Sequence, residues 1–118
     1  MATAVKRKLS ESTNGLGILI DDTATPGKLI HTAIAGTTDG TYDEVHLYAT
    51  NIHTADVLVT VEIGGATAGD IFRVTVPYDS GEIKILDGHI LQNQKAINIF
   101  AATDSVISIL GWVNQTTD

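Results

Sequence analysis

The chain has 118 residues, a formal net charge of -7 and no cysteine. That length fits one domain, and the missing cysteine excludes a disulfide framework, a thiolate metal site and a cysteine nucleophile. A hydrophobic content of 43% against 18% charged residues excludes a disordered chain, and no apolar run approaches the ~20 residues of a membrane-spanning helix.

Thr, Ile and Val make up 39 residues, a third of the chain. These β-branched side chains lose rotamer freedom in helices and pack well on a pleated sheet. Leu, Glu, Gln, Lys and Met are thin. The composition therefore predicts an all-β domain.

Residues 1–14 are polar, carry Lys6, Arg7 and Lys8, and show no sustained period. They are expected to form a flexible N-terminal arm, either an unbound polar tail or one that docks on an acidic partner, with residues 15–118 as a β-sandwich domain. MATAVKRKLS has no apolar stretch behind its basic cluster and does not read as a secretory signal. Residues 17–20 predict a short first strand. Pro26-Gly27 suits the centre of a type II turn. A second strand is expected over 28–35, and a third over 44–51. In the third, Val45, Leu47 and Ala49 share one face, and His46, Tyr48 and Thr50 the other. Residues 56–63 alternate most cleanly, with Val57, Val59, Val61 and Ile63 on one face.

The next strand, 71–76, ends at Pro77, which cannot donate to a ladder. Residues 82–86 form a short strand, and Asp87-Gly88 reads as a hairpin turn before a partner at 89–92. Strands over 96–101 and 105–114 close the series. Eight or so short strands with turn signals every 8–12 residues mark a single antiparallel β-sandwich of jelly-roll or immunoglobulin-like type. The last strand is apolar on both faces: Ile107, Ile109 and Val113 on one, Val106, Leu110 and Trp112 on the other. Either it is central to the core, or one face meets another chain, with Trp112 as a binding anchor.

Charge and motifs narrow the function. From Leu9 onward there are four basic and fourteen acidic residues, a balance of -10. Nucleic-acid binding needs clustered Lys and Arg, so no nucleic-acid partner is expected. His31, His46, His53 and His89 lack the spacing of a zinc protease. The pairs Asp21-Asp22 and Asp43-Glu44 read as solvated turn charges, and residues 39–44 lack the alternating ligands of an EF-hand. No serine sits in a GxSxG frame, and Gly64-Gly65 opens no helix that could hold a phosphate. No catalytic, metal or cofactor site is expected, and Lys6, Arg7, Lys8 and Trp112 are the candidate partner contacts.

The stretches MATAVKRKLSESTNG, TPGKLIHTAIAGTTDGTYDEVHLYATN, VTVEIGGAT, HILQN and INIFAATDSVISILGWVN resemble small bacteriophage virion proteins of the capsid decoration (cement) type. The resemblance spans essentially the whole chain and rests on strand and turn patterns. It implies a structural, non-enzymatic part of the virion on the capsid exterior. Such a protein binds the major capsid protein and braces joints between its subunits, as a homo-oligomer with a trimer favoured. A carbohydrate- or receptor-binding module of a phage fibre, and a head–tail connector or tail component, are the alternatives.

Overall fold

The structure is a computed structural model and describes residues 2–118. Nine strands form: β1 (Thr3–Lys8), β2 (Ile18–Ile20), β3 (Lys28–Thr32), β4 (Tyr42–Asn51), β5 (Val57–Ile63), β6 (Ile71–Val76), β7 (Ile83–Leu91), β8 (Ala96–Ala101) and β9 (Ile107–Thr117). No helix occurs among the described residues. Two antiparallel sheets build a β-sandwich. One has the order β1-β9-β4-β7, with β2 also on β9, and the other β3-β8-β5-β6.

The pairings reduce to one long hairpin rolled on itself. Its innermost pair is β5 with β6, followed outward by β4 with β7, β3 with β8 and β2 with β9. Rolling brings β9 against β4 and β8 against β5. This strand order is that of the jelly roll, the first of the two sandwich types the sequence left open.

Alternation sets the core. Val45, Leu47 and Ala49 of β4 and Ile107, Ile109 and Val113 of β9 face Val57, Val59 and Val61 of β5 and Ile97 and Ile99 of β8, all buried. In β5 the outward side chains Thr60 and Glu62 are buried too, and the loop before β3 closes over Glu62. Glu62 accepts hydrogen bonds from the Gly27 N–H at 2.7 Å and from the Thr25 hydroxyl. The expected type II turn at Pro26-Gly27 does not form, because Gly27 lacks the positive φ that its third position requires.

The N-terminal residues are the largest correction. Thr3–Lys8 is no free arm but a strand, paired with β9 from Thr3↔Thr117 to Lys8↔Trp112. All six of its residues are exposed, so backbone pairing rather than burial holds it. This is why periodicity could not reveal it. Beyond it, Leu9 is 1% exposed and joins the core. The Glu11 N–H reaches the Ile30 carbonyl at 3.4 Å and the Ser12 hydroxyl donates to the Leu16 carbonyl at 2.7 Å. Residues 9–12 thus belong to the folded domain.

Asp87-Gly88 is also not a turn. Residues 83–91 form one strand, whose pairing with β4 shifts between Val45 and His46 and again between Leu47 and Tyr48. Gly88 is left unpaired in the first shift at φ +83°, a left-handed bulge position that glycine adopts freely. The hairpin signal and the bulge signal are the same residue requirement, a positive φ.

Leu9→Ala should lower stability by about 2–5 kcal/mol, the cost of emptying a buried leucine site. Urea denaturation measures this; an unchanged midpoint would return residues 1–14 to the status of an arm.

Candidate interaction face

The candidate contacts converge on the outer face of the larger sheet. β9 runs through its centre, with β1 and β2 on one side and β4 on the other. Register places Lys8, Trp112, His46 and Asp87 in one row across four strands. Lys6, Asn114, Glu44 and Ile90 form the next row. Trp112 is half-buried on this face, not in the core, so β9 is at once a central strand and one with an uncovered apolar face.

Trp112 is held from both sides. The His46 ring stacks on it with centroids 4.1 Å apart and planes 11° off parallel. The Lys6 ammonium lies 4.3 Å from the indole centroid, a cation–π contact. Because β1 and β4 flank β9 on opposite sides, the indole stands between the ammonium and the imidazole. Gly111 permits this approach, since a Cβ there would fall 2.1 Å from the His46 carbonyl oxygen. Any side chain at Gly111 would push β9 from β4 at the residue before the stack.

The far side of His46 is acidic. Nε2 lies 3.6 Å from a Glu44 oxygen and Nδ1 lies 3.7 Å from an Asp87 oxygen. Both exceed a good hydrogen bond, and the buried Nε2 has no hydrogen-bond partner. Glu44 also accepts from the Asn114 side chain at 3.3 Å, and Asp87 lies 3.5 Å from the Lys84 ammonium. The face therefore reads, from β1 to β7, as basic, aromatic and mainly acidic, with Lys84 beside Asp87 at the far edge. An aromatic centre with a charged rim is the anatomy of a protein interface.

Of the four expected contacts, the fold brings Lys6 and Trp112 together and sets Lys8 opposite Trp112 in register. Arg7 pairs with Val113 and so belongs to the other face of the sheet. His46, Glu44 and Asp87 were not among the expected contacts. The alternation of β4 does put His46 on the outward face, but its contact with Trp112 depends on a pairing 66 positions away in sequence.

A second polar cluster is interior. Asp43, expected as a solvated turn charge, is fully buried, and its Oδ2 lies 2.6 Å from His31 Nε2. The Ser10 N–H donates to His31 Nδ1 at 2.9 Å. That fixes Nδ1 as acceptor and puts the ring proton on Nε2, aimed at Asp43. Asp43 also accepts from the Ile34 N–H at 3.3 Å and from the Gln115 side chain at 2.9 Å. An Asp–His pair is the orienting half of a hydrolytic triad, but here the second ring nitrogen is taken by backbone and both side chains are nearly sealed from solvent. Its work is to tie β3, β4, β9 and the residues after β1 together.

A cleft of about 500 Å³ opens between the β5–β6 hairpin and β7, lined by Ile63, Asp70, Phe72, Leu86 and His89. Among the described residues, no group of three or more His, Asp and Glu side chains could hold a metal ion. No family model, no curated protein and no solved structure matches this chain.

Asp43→Ala strands the donors of His31, Ile34 and Gln115 and should cost at least about 2 kcal/mol in urea denaturation. A second outcome concerns Trp112, the only tryptophan. His46→Ala takes the stacked ring away and uncovers one indole face, so the emission maximum should move to the red at constant pH.

Proposed function

We propose that this chain is a structural virion protein of the capsid decoration type, which binds the outside of a phage head and braces joints between major capsid subunits. The observation that carries the proposal is the outer face centred on Trp112, an aromatic patch with a charged rim on a rigid sheet. Jelly-roll order supports it at the level of fold, since that order recurs in viral capsid domains, although it recurs in lectins as well. The pattern resemblance along the chain points the same way. Such a protein adds contacts across a joint and needs no cofactor. Many copies of a modest interface would stabilise the shell through avidity.

A glycan-binding role is the competing reading, and the cleft beside Phe72, Asp70 and His89 is the place for it. Trp112 does not favour it. Sugars stack on an open aromatic face, and both faces of this indole are already covered by His46 and Lys6.

The test is co-sedimentation of the purified chain with phage heads assembled from the major capsid protein of the virus that carries it, scored with Trp112→Ala alongside. Saturable binding at a fixed ratio to capsid subunits, weakened at least tenfold by Trp112→Ala, is the expected result. No binding to heads, together with hits on a glycan array, would replace decoration with the glycan-binding role.

A further inference from the structure

The outer face of the larger sheet is complementary to itself, and we infer that it is the interface of a twofold homodimer. The inference does not rest on the capsid proposal: with this face taken by a second copy, head contact falls to the remaining surface, and Trp112→Ala weakens it by loss of the paired copy. It follows from the order of charges across the sheet. Lys6 and Lys8 lie on β1, the Trp112 column on β9, and Glu44 and Asp87 on β4 and β7, all on one face. Strands sit roughly 4.8 Å apart, so Lys6 and Lys8 on β1 and Glu44 on β4 flank the Trp112 column at similar distances, with Asp87 one strand further out.

Consider a second copy laid face to face about a twofold axis parallel to β9 through Trp112. The rotation reverses left and right but keeps position along the strand. Lys6 then faces Glu44 of the second copy, because both belong to the row of Asn114. Lys8 faces the His46–Asp87 side of the second copy, and each Trp112 meets the other. One row away, Leu110 meets its own counterpart. Beside it Gly17, with no side chain, faces the Tyr48 that pairs with Leu110 in the second copy. An axis across the strands instead would set lysine on lysine and carboxylate on carboxylate. A twofold contact must be self-complementary, and only the first arrangement is.

Two further observations favour a second copy as the occupant. The chain from Leu9 onward carries a balance of -10, so two copies repel in most orientations. This one sets the basic residues of β1 against the acidic flank. The area also suffices: β1, β9, β4 and β7, with 6, 11, 10 and 9 residues, present roughly 600 Å² per copy, near the lower bound of a stable interface. A dimer of micromolar strength is the expectation, twofold where the resemblance implies a threefold.

The experiment is sedimentation equilibrium of the full chain, with Lys6→Glu, Glu44→Lys and the double variant Lys6→Glu/Glu44→Lys. Wild type should be a dimer. Each single variant should weaken it about tenfold or more, and the double variant, which restores opposite charges across the axis, should recover most of that loss. Melting curves check that each variant folds; if Lys6→Glu does not, Lys8→Glu with Asp87→Lys carries the same comparison. A monomeric wild type, a trimer or larger ring, or a double variant no better than its parents would overturn the inference. None of these outcomes depends on whether the chain binds phage heads.

Discussion

The ladder between β4 and β9 is the constraint on which the rest depends. Its register runs unbroken through ten pairs, from Tyr42↔Thr116 to Asn51↔Ile107. On the inner face it aligns Val45 with Val113 and Ala49 with Ile109 in the core. On the outer face it aligns His46 with Trp112. A slip of one residue would send every side chain of β9 to the wrong face, placing the indole in the core and Ile109 in solvent. The irregularities collect one strand further out, where β7 follows β4 through two register shifts. The centre of the sheet is regular and its edge absorbs the mismatch.

Buried polar groups then fix what the hydrophobic core leaves loose. Apolar packing is tolerant of small shifts, whereas a buried carboxylate must find its donors. Asp43 gathers donors from β3, the residues after it and β9. Glu62 pins the loop that enters β3, and Asn51 donates to the carbonyls of Ala55 and Val76 while accepting from the His53 N–H. Each of these residues closes a connection between the sheets. Among the described residues, the one buried side-chain nitrogen or oxygen left without a hydrogen bond, Nε2 of His46, belongs to the outer face rather than to this scaffold.

Much of the sandwich was legible in sequence because burial writes itself as alternation. The strands at 57–63, 71–76 and 96–101 agree with the expectation to within a residue. What burial does not touch stayed hidden. β1 has no buried side chain, so TAVKRK carries no period to read. Asp43 looks like any loop carboxylate until His31, 12 residues away, closes on it. Gly88 announces a positive φ but not whether the chain reverses there or only bulges. For the face itself, the residue types were visible but the neighbours were not: Lys6 and Trp112 are 106 positions apart and meet only through the pairing of the first strand with the last.

That pairing has a mechanical consequence. Thr3 lies opposite Thr117, so the two ends of the described chain leave from one corner of the sheet. Hydrogen bonds of an antiparallel ladder run across the strands, so tension between those ends opens β1 from β9 one pair at a time, like a zip, instead of shearing the whole ladder at once. The tear advances from Thr3 to Lys8 before it reaches Leu9, the first residue anchored in the core. The first strand is therefore a sacrificial seam: a modest pull peels it away while the rolled hairpin behind it keeps its shape.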